Sequence, residues 1–230
     1  MFGLDDQIAG LGAGQAFVIV AAVAVLLGLR HATDPDHLTA VTTLVAGERG
    51  GAGARRAARL GLSWGLGHAT TLFVFGLPIV LFHSYLPEPA QTAAETAVGF
   101  VIVALAVRLL VRWRQGRRAA HPHDAGGLRD RSPLQAYGIG LVHGIGGSAG
   151  VGVLLLAAIP DHVEAVVALA LFALFTAASM AVASTSLGYV LSRGRANRSV
   201  TALVPGLGVA GLAFGTWYAL GALAVVPYLF

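Results

Sequence analysis

Long uncharged apolar stretches alternate with short polar connections along the whole chain. Ile8 to Leu29 carries no charge, nor do Leu60 to His83, Leu134 to Pro160, Ala165 to Leu191 and Ser199 to Phe230. A further apolar stretch, Thr96 to Trp113, is interrupted only by Arg108 and Arg112 near its end, where long side chains reach back to the headgroups. A bilayer core of about 30 Å takes roughly 20 apolar residues per helix. The pattern therefore predicts an all-α integral membrane protein of about six transmembrane helices. The spans fall near residues 8–34, 60–83, 96–113, 134–159, 165–191 and 201–226, within a single polytopic membrane domain, 1–230, with a polar cytoplasmic linker at 114–132.

Six spans divide into two halves of three, and an odd number per half reverses the orientation, so the layout allows a 3+3 inverted repeat. Gly28-Leu-Arg-His31 in the first span and Gly140-Leu-Val-His143 in the fourth stand at matching positions, although Gly65-Leu-Gly-His68 has the same spelling. Small residues four apart at Gly10/Gly14, Gly61/Gly65, Gly140/Gly144, Gly146/Gly150 and Gly211/Gly215 suit close helix packing.

Composition supports the membrane reading: 56% of the 230 residues are hydrophobic and 11% charged, against about a quarter charged in an ordinary soluble domain. Met1 to Asp6 lacks a basic region ahead of the apolar run, so the first helix is expected to be retained and not cleaved. Without cysteine, disulfides and thiolate metal ligation are excluded. The net charge of +4 comes from arginines, with no lysine, and their distribution decides its meaning. Arg49, Arg55, Arg56 and Arg59, then Arg108 to Arg131, then Arg193, Arg195 and Arg198 occupy alternate connections; Ser84 to Glu95 and Asp161 to Glu164 carry acids and no arginine. The positive-inside rule reads this as a multi-pass cell (inner) membrane protein with both termini outside and the arginine-rich loops cytoplasmic. The positive charge is a topology signal and calls for no nucleic acid partner.

Ionisable groups at membrane depth cost about 2.5–3.5 kcal/mol each on insertion scales, and five of them, Arg30, His31, Asp34, Asp36 and His37, end the first span. Two imidazoles and two carboxylates form an N/O ligand set for divalent nickel, cobalt, zinc or copper; a wet loop following Leu29 is the plain alternative. At 100° per residue His37 lies about 120° from His31 around a straight helix, so one helix cannot converge them. Pro35 supplies a break, because it lacks an N–H and clashes with the carbonyl four residues back, at His31. The freed His31 carbonyl is then a further ligand or water site, and Leu38 to Ala46 is too short to span, which suits a tilted extension or a re-entrant piece. His68 lies roughly 12 Å, and His143 roughly 14 Å, from the cytoplasmic start of its helix, depths that bring both within reach of the cluster. The metal candidates are thus His31, Asp34, Asp36, His37, His68 and His143, with Arg30, Pro35, Thr70 and Ser148 supporting. Thr176, Ser179, Met180, Ser184, Thr185 and Ser186 on span five, and His121 and His123 in the basic linker, are weaker candidates; His83 and His162 read as interfacial.

Leu29-Arg30-His31-Ala-Thr-Asp34-Pro35-Asp36-His37-Leu38 resembles the His-x4-Asp-His signature of the nickel/cobalt transporter family (NiCoT, within the NicO superfamily). Leu66-Gly67-His68-Ala69-Thr70-Thr71 resembles its second signature. The later acidic signatures of the larger members are absent. Gly140-Leu-Val-His143-Gly-Ile-Gly-Gly147-Ser148-Ala149-Gly150 is similar instead to the shorter, urease-associated branch of nickel permeases. The resemblance implies that His31, Asp36 and His37 are essential metal-handling residues, supported by Asp34 and His68.

The expectation is a secondary transporter of Ni²⁺ or Co²⁺ that imports the ion on the membrane potential, not an enzyme, with no permanent cofactor. No phosphate-binding G-x-x-x-x-G-K-[ST] occurs. Its partners are the cation substrate, the lipid bilayer and, by extension, a homo-oligomeric copy or metalloenzyme-maturation proteins. A metal/proton antiporter that exports the ion, an intramembrane metal-dependent enzyme and an accessory subunit remain open.

Overall fold

A computed structural model describes residues 4–46, 53–82, 87–118, 131–144, 146, 149–194 and 198–227. The chain is all-α among these residues, with helices α1 (Leu4–His31), α2 (Pro35–Ala46), α3 (Gly53–Phe82), α4 (Glu88–Arg118), α5 (Pro133–His143), α6 (Ala149–Ala157), α7 (His162–Gly194) and α8 (Arg198–Ala222). Three helices, α3, α4 and α7, are each long and apolar enough to cross a membrane, and α1 with α2 forms a further pair bent by 49° at a short break. This is a membrane protein with an inverted surface. Val18, Ile19, Leu26, Phe82, Phe100, Leu174 and Val182 are exposed while histidines and an aspartate lie inside, the distribution that lipid favours and water penalises.

The break in the first span comes where Pro35 forbids a continuous helix. α1 ends at His31 and α2 starts at Pro35, a position where proline's missing N–H and fixed φ cost nothing. The predicted fourth span, 134–159, is also divided, into α5 and α6. Its sequence at the division, Gly144-Ile-Gly-Gly-Ser148, has glycines that are each about 1 kcal/mol less favourable in a helix than alanine. α5 begins with a capping box, in which the Ser132 hydroxyl accepts the Gln135 N–H and the Gln135 side chain accepts the Ser132 N–H.

The core joins the two halves. Helix α3 lies along α7 and α4 along α8, while α1 packs on α7 and α5 on α3. Exchanging the halves, with α1 for α5 and α3 for α7, turns the α1–α7 pairing into α5–α3 and the α2–α7 pairing into α6–α3, both present in the fold. The correspondence is partial, since α2 packs on α4 and α8 whereas α6 packs on α1, α3 and α7. One apolar cluster, including Ala24, Leu72, Val153 and Phe172, joins α1, α3, α6 and α7. A second, including Ala32, Val41, Trp64, Leu105, Ala136 and Met180, ties the proline break and α2 to α3, α4, α5 and α7.

Backbones approach closely where the glycines lie. A Cβ on Gly67 of α3 would strike the Tyr137 carbonyl of α5, and one on Gly140 of α5 would strike the Trp64 carbonyl of α3. These crossings draw His68 and His143, each a neighbour of such a contact, to the same level of the bundle.

Candidate metal centre

The break delivers two of the histidines. A tight turn carries the chain out of α1, with the Thr33 N–H donating to the Arg30 carbonyl at 2.8 Å and the Asp34 N–H to the His31 carbonyl at 3.2 Å. The His31 carbonyl, a potential ligand or water site once Pro35 frees it, accepts this Asp34 N–H and keeps its second lone pair. The Asp34 carbonyl accepts the Leu38 N–H at 2.9 Å and starts α2. The bend cancels the angular separation that a straight helix would impose, and the His31 and His37 rings end 4.3 Å apart between centroids.

Helices α3 and α5 add the remaining imidazoles. His68 Nε2 lies 3.0 Å from His31 Nε2. The His37 ring lies 5.0 Å from that of His68 and 4.6 Å from that of His143. His68 and His143 are fully buried, His37 is 1% exposed, and His31 and Asp36 are 4% exposed. Among the described residues two triples form, His31/His37/His68 and Asp36/His37/His143, each offering three ligand atoms that lie within 4.8 Å of one another. Trp64 packs edge-on against His143 at 5.5 Å and tilted against His37 at 5.7 Å, and Phe172 packs edge-on against His31 at 5.6 Å, so aromatic walls flank the polar centre.

The carboxylates orient the rings. Asp36 Oδ1 lies 3.0 Å from His37 Nδ1, and its Oδ2 lies 3.3 Å from His143 Nε2. Asp34 Oδ2 lies 3.3 Å from His31 Nδ1. A carboxylate at Nδ1 holds the proton there and turns the lone pair of Nε2 inward, the usual arrangement behind a metal-binding histidine. For His37 the inward Nε2 is buried with no hydrogen-bond partner among the described residues, as are Nδ1 of His68 and Nδ1 of His143. Buried polar atoms of this kind are costly unless something coordinates them. Helix ends of both signs meet at the centre: α1 and α5 terminate at centre histidines and bring partial negative charge, while α2 begins at Pro35 and brings its positive end to Asp36.

Of the residues expected from sequence, His31, Asp36, His37, His68 and His143 come together. Asp34 sits at the edge, its side chain 12% exposed and 3.5 Å from the outward Arg30 guanidinium. Pro35 acts through the backbone. Thr70 does not face the centre: it is exposed, its hydroxyl donates to the Leu66 carbonyl and it accepts from Tyr137. Thr176 and Ser184 of α7 are fully buried and their hydroxyls have no hydrogen-bond partner among the described residues, while the Ser179 hydroxyl bonds the Gly28 carbonyl at 3.0 Å and the Thr185 hydroxyl bonds back to Ala181. Ser148, His83, His121 and His123 lie outside the described residues.

Sequence reading misses Glu95. The charge pattern puts it in an outer connection, yet α4 begins seven residues earlier, at Glu88, and Glu95 is 7% exposed. Its carboxylate accepts from Gln91 at 3.1 Å, and its backbone N lies where a Cβ on Gly146 would come within 3.0 Å. An isolated acid at the edge of an apolar run gives no signal of that burial.

Comparison with known proteins finds a relative of similar length. The chain is 27% identical to the urease accessory protein UreH of Bacillus sp. (strain TB-90) over 172 residues, 71% of this chain and 73% of that protein. No family model matches the chain, and no solved structure matches it.

Proposed function

We propose that the chain is a secondary permease for a divalent transition-metal cation, Ni²⁺ or Co²⁺, with six membrane crossings and the α1–α2 and α5–α6 pairs as two broken ones. The observation that carries this reading is the convergence of four histidines and Asp36 inside a lipid-facing bundle, with ligand atoms within 4.8 Å in each triple. Metal–nitrogen bonds of about 2.1 Å put ligand atoms roughly 3.4 Å apart in a tetrahedron and 4.2 Å apart when opposed, so the spacing suits one small ion. Imidazole nitrogen with one carboxylate selects borderline divalent metals over Mg²⁺ and Ca²⁺, which prefer oxygen. The similarity to a urease accessory protein, with the resemblance to the urease-associated branch of nickel permeases, favours nickel as the cargo.

Import follows from electrostatics. A divalent ion entering a cell at about 100 mV, negative inside, gains roughly 4.6 kcal/mol, at about 2.3 per charge. That supports about a thousandfold accumulation without ATP. Release demands ligands that are not all rigidly held, and a centre built at two helix breaks meets that need. His37 belongs to both triples, so His37→Ala is expected to abolish uptake of radioactive nickel and cobalt in cells expressing the chain. Uptake equal to wild type in that variant, at equal membrane abundance, rejects the assignment.

A further inference from the structure

We infer that the centre is not one site but two three-ligand positions that share His37 and are filled one at a time, the ion passing between them without losing that imidazole. This deepens the carrier reading and rests on it. Three nitrogens, from His31, His37 and His68, make the first position; the carboxylate of Asp36 with His37 and His143 makes the second. His37 is central. Its ring centroid lies 4.3 Å from His31, 5.0 Å from His68 and 4.6 Å from His143, whereas His68 and His143 stand 6.1 Å apart.

Neutral imidazole has one lone pair, because its other nitrogen carries the proton. His37 can therefore serve one ion at a time, and the two positions exclude each other. Moving between them keeps the bond to His37 and exchanges His31 and His68 for Asp36 and His143, so the ion is never stripped of all its ligands. The positions also differ in charge. Three neutral imidazoles leave the ion with its full double charge, and the second position offsets one unit with a carboxylate. Carboxylate in place of imidazole changes the ligand field, which makes the two positions distinguishable by spectroscopy.

The test titrates the purified full chain in detergent with Co²⁺, reading stoichiometry by equilibrium dialysis and ligand field by visible absorption. Wild type is expected to bind one ion per chain. His68→Gln and His143→Gln are each expected still to bind one ion, with d–d spectra that differ from each other, because each variant keeps one triple whole. Their combination is expected to weaken binding at least a hundredfold, and each single variant to lower uptake into proteoliposomes at least tenfold. Two ions bound to wild type overturn the proposal, and so do loss of binding in both single variants or identical spectra for them. His31→Gln repeats the first arm, and elution as a single peak with unchanged helical circular dichroism qualifies each variant for the comparison. Wild type that neither binds Co²⁺ nor transports it overturns the carrier reading itself. Wild type that transports, with binding lost in both single variants, overturns only the division into two positions.

Discussion

Asp36 and Asp34 stand two residues apart and do different work. Asp36 is 4% exposed and touches two imidazoles, with 3.0 Å to His37 and 3.3 Å to His143. Asp34 shares its carboxylate between His31 and an exposed arginine at the edge of the centre. Removing an orienting carboxylate from a metal-bound histidine costs about 10–100-fold in affinity or activity. Asp36→Asn is therefore expected to lower metal uptake by about 10–100-fold, and Asp34→Asn by about tenfold or less, measured as initial rates at equal abundance in the membrane. The reverse order would assign the principal charge to the rim. These residues were legible in the sequence because ionisable groups within apolar runs are few, and each one demands an account. Glu95 was not legible, because a carboxylate beside a connection reads as wet until a helix is seen to start before it.

Between elements, the α3–α5 crossing sets the level at which His68 and His143 meet. Gly67 and Gly140 each face a carbonyl of the other helix, whereas a methyl group placed on Gly138 of α5 would meet no atom of the described residues within 4 Å. Gly67→Ala and Gly140→Ala are expected to destabilise the protein by about 1–3 kcal/mol, the usual cost of overpacking. Gly138→Ala is expected to leave stability unchanged or raise it by up to about 1 kcal/mol, because alanine is the better helix former. Thermal unfolding in detergent checks all three, and equal melting temperatures would mean that the helices do not touch at these glycines. The first helix break could be foreseen from Pro35, since a proline acts within its own segment. The second could not, because an apolar run with several glycines is equally consistent with a tightly packed continuous helix, and only the neighbours of α5 decide.

Across the whole molecule, the arginine distribution predicts the sidedness of each connection, and the lack of cysteine provides a clean background for measuring it. Single cysteines at Glu88 and Val163, both exposed, are expected to react in intact cells with a maleimide that cannot cross the membrane. A cysteine at Arg55, also exposed, is expected to react only after permeabilisation. The opposite pattern would invert the topology, while the membrane potential would still drive a cation inward. The centre also draws on both halves of the chain. His31, His37 and His68 are made early, His143 only after the linker, and α1 is seated on α7, with the His31 ring against Phe172. In order of synthesis, then, the ligands of the first triple exist well before anything holds them in position. The second triple needs His143 of α5, so it cannot close before the second half of the chain is made.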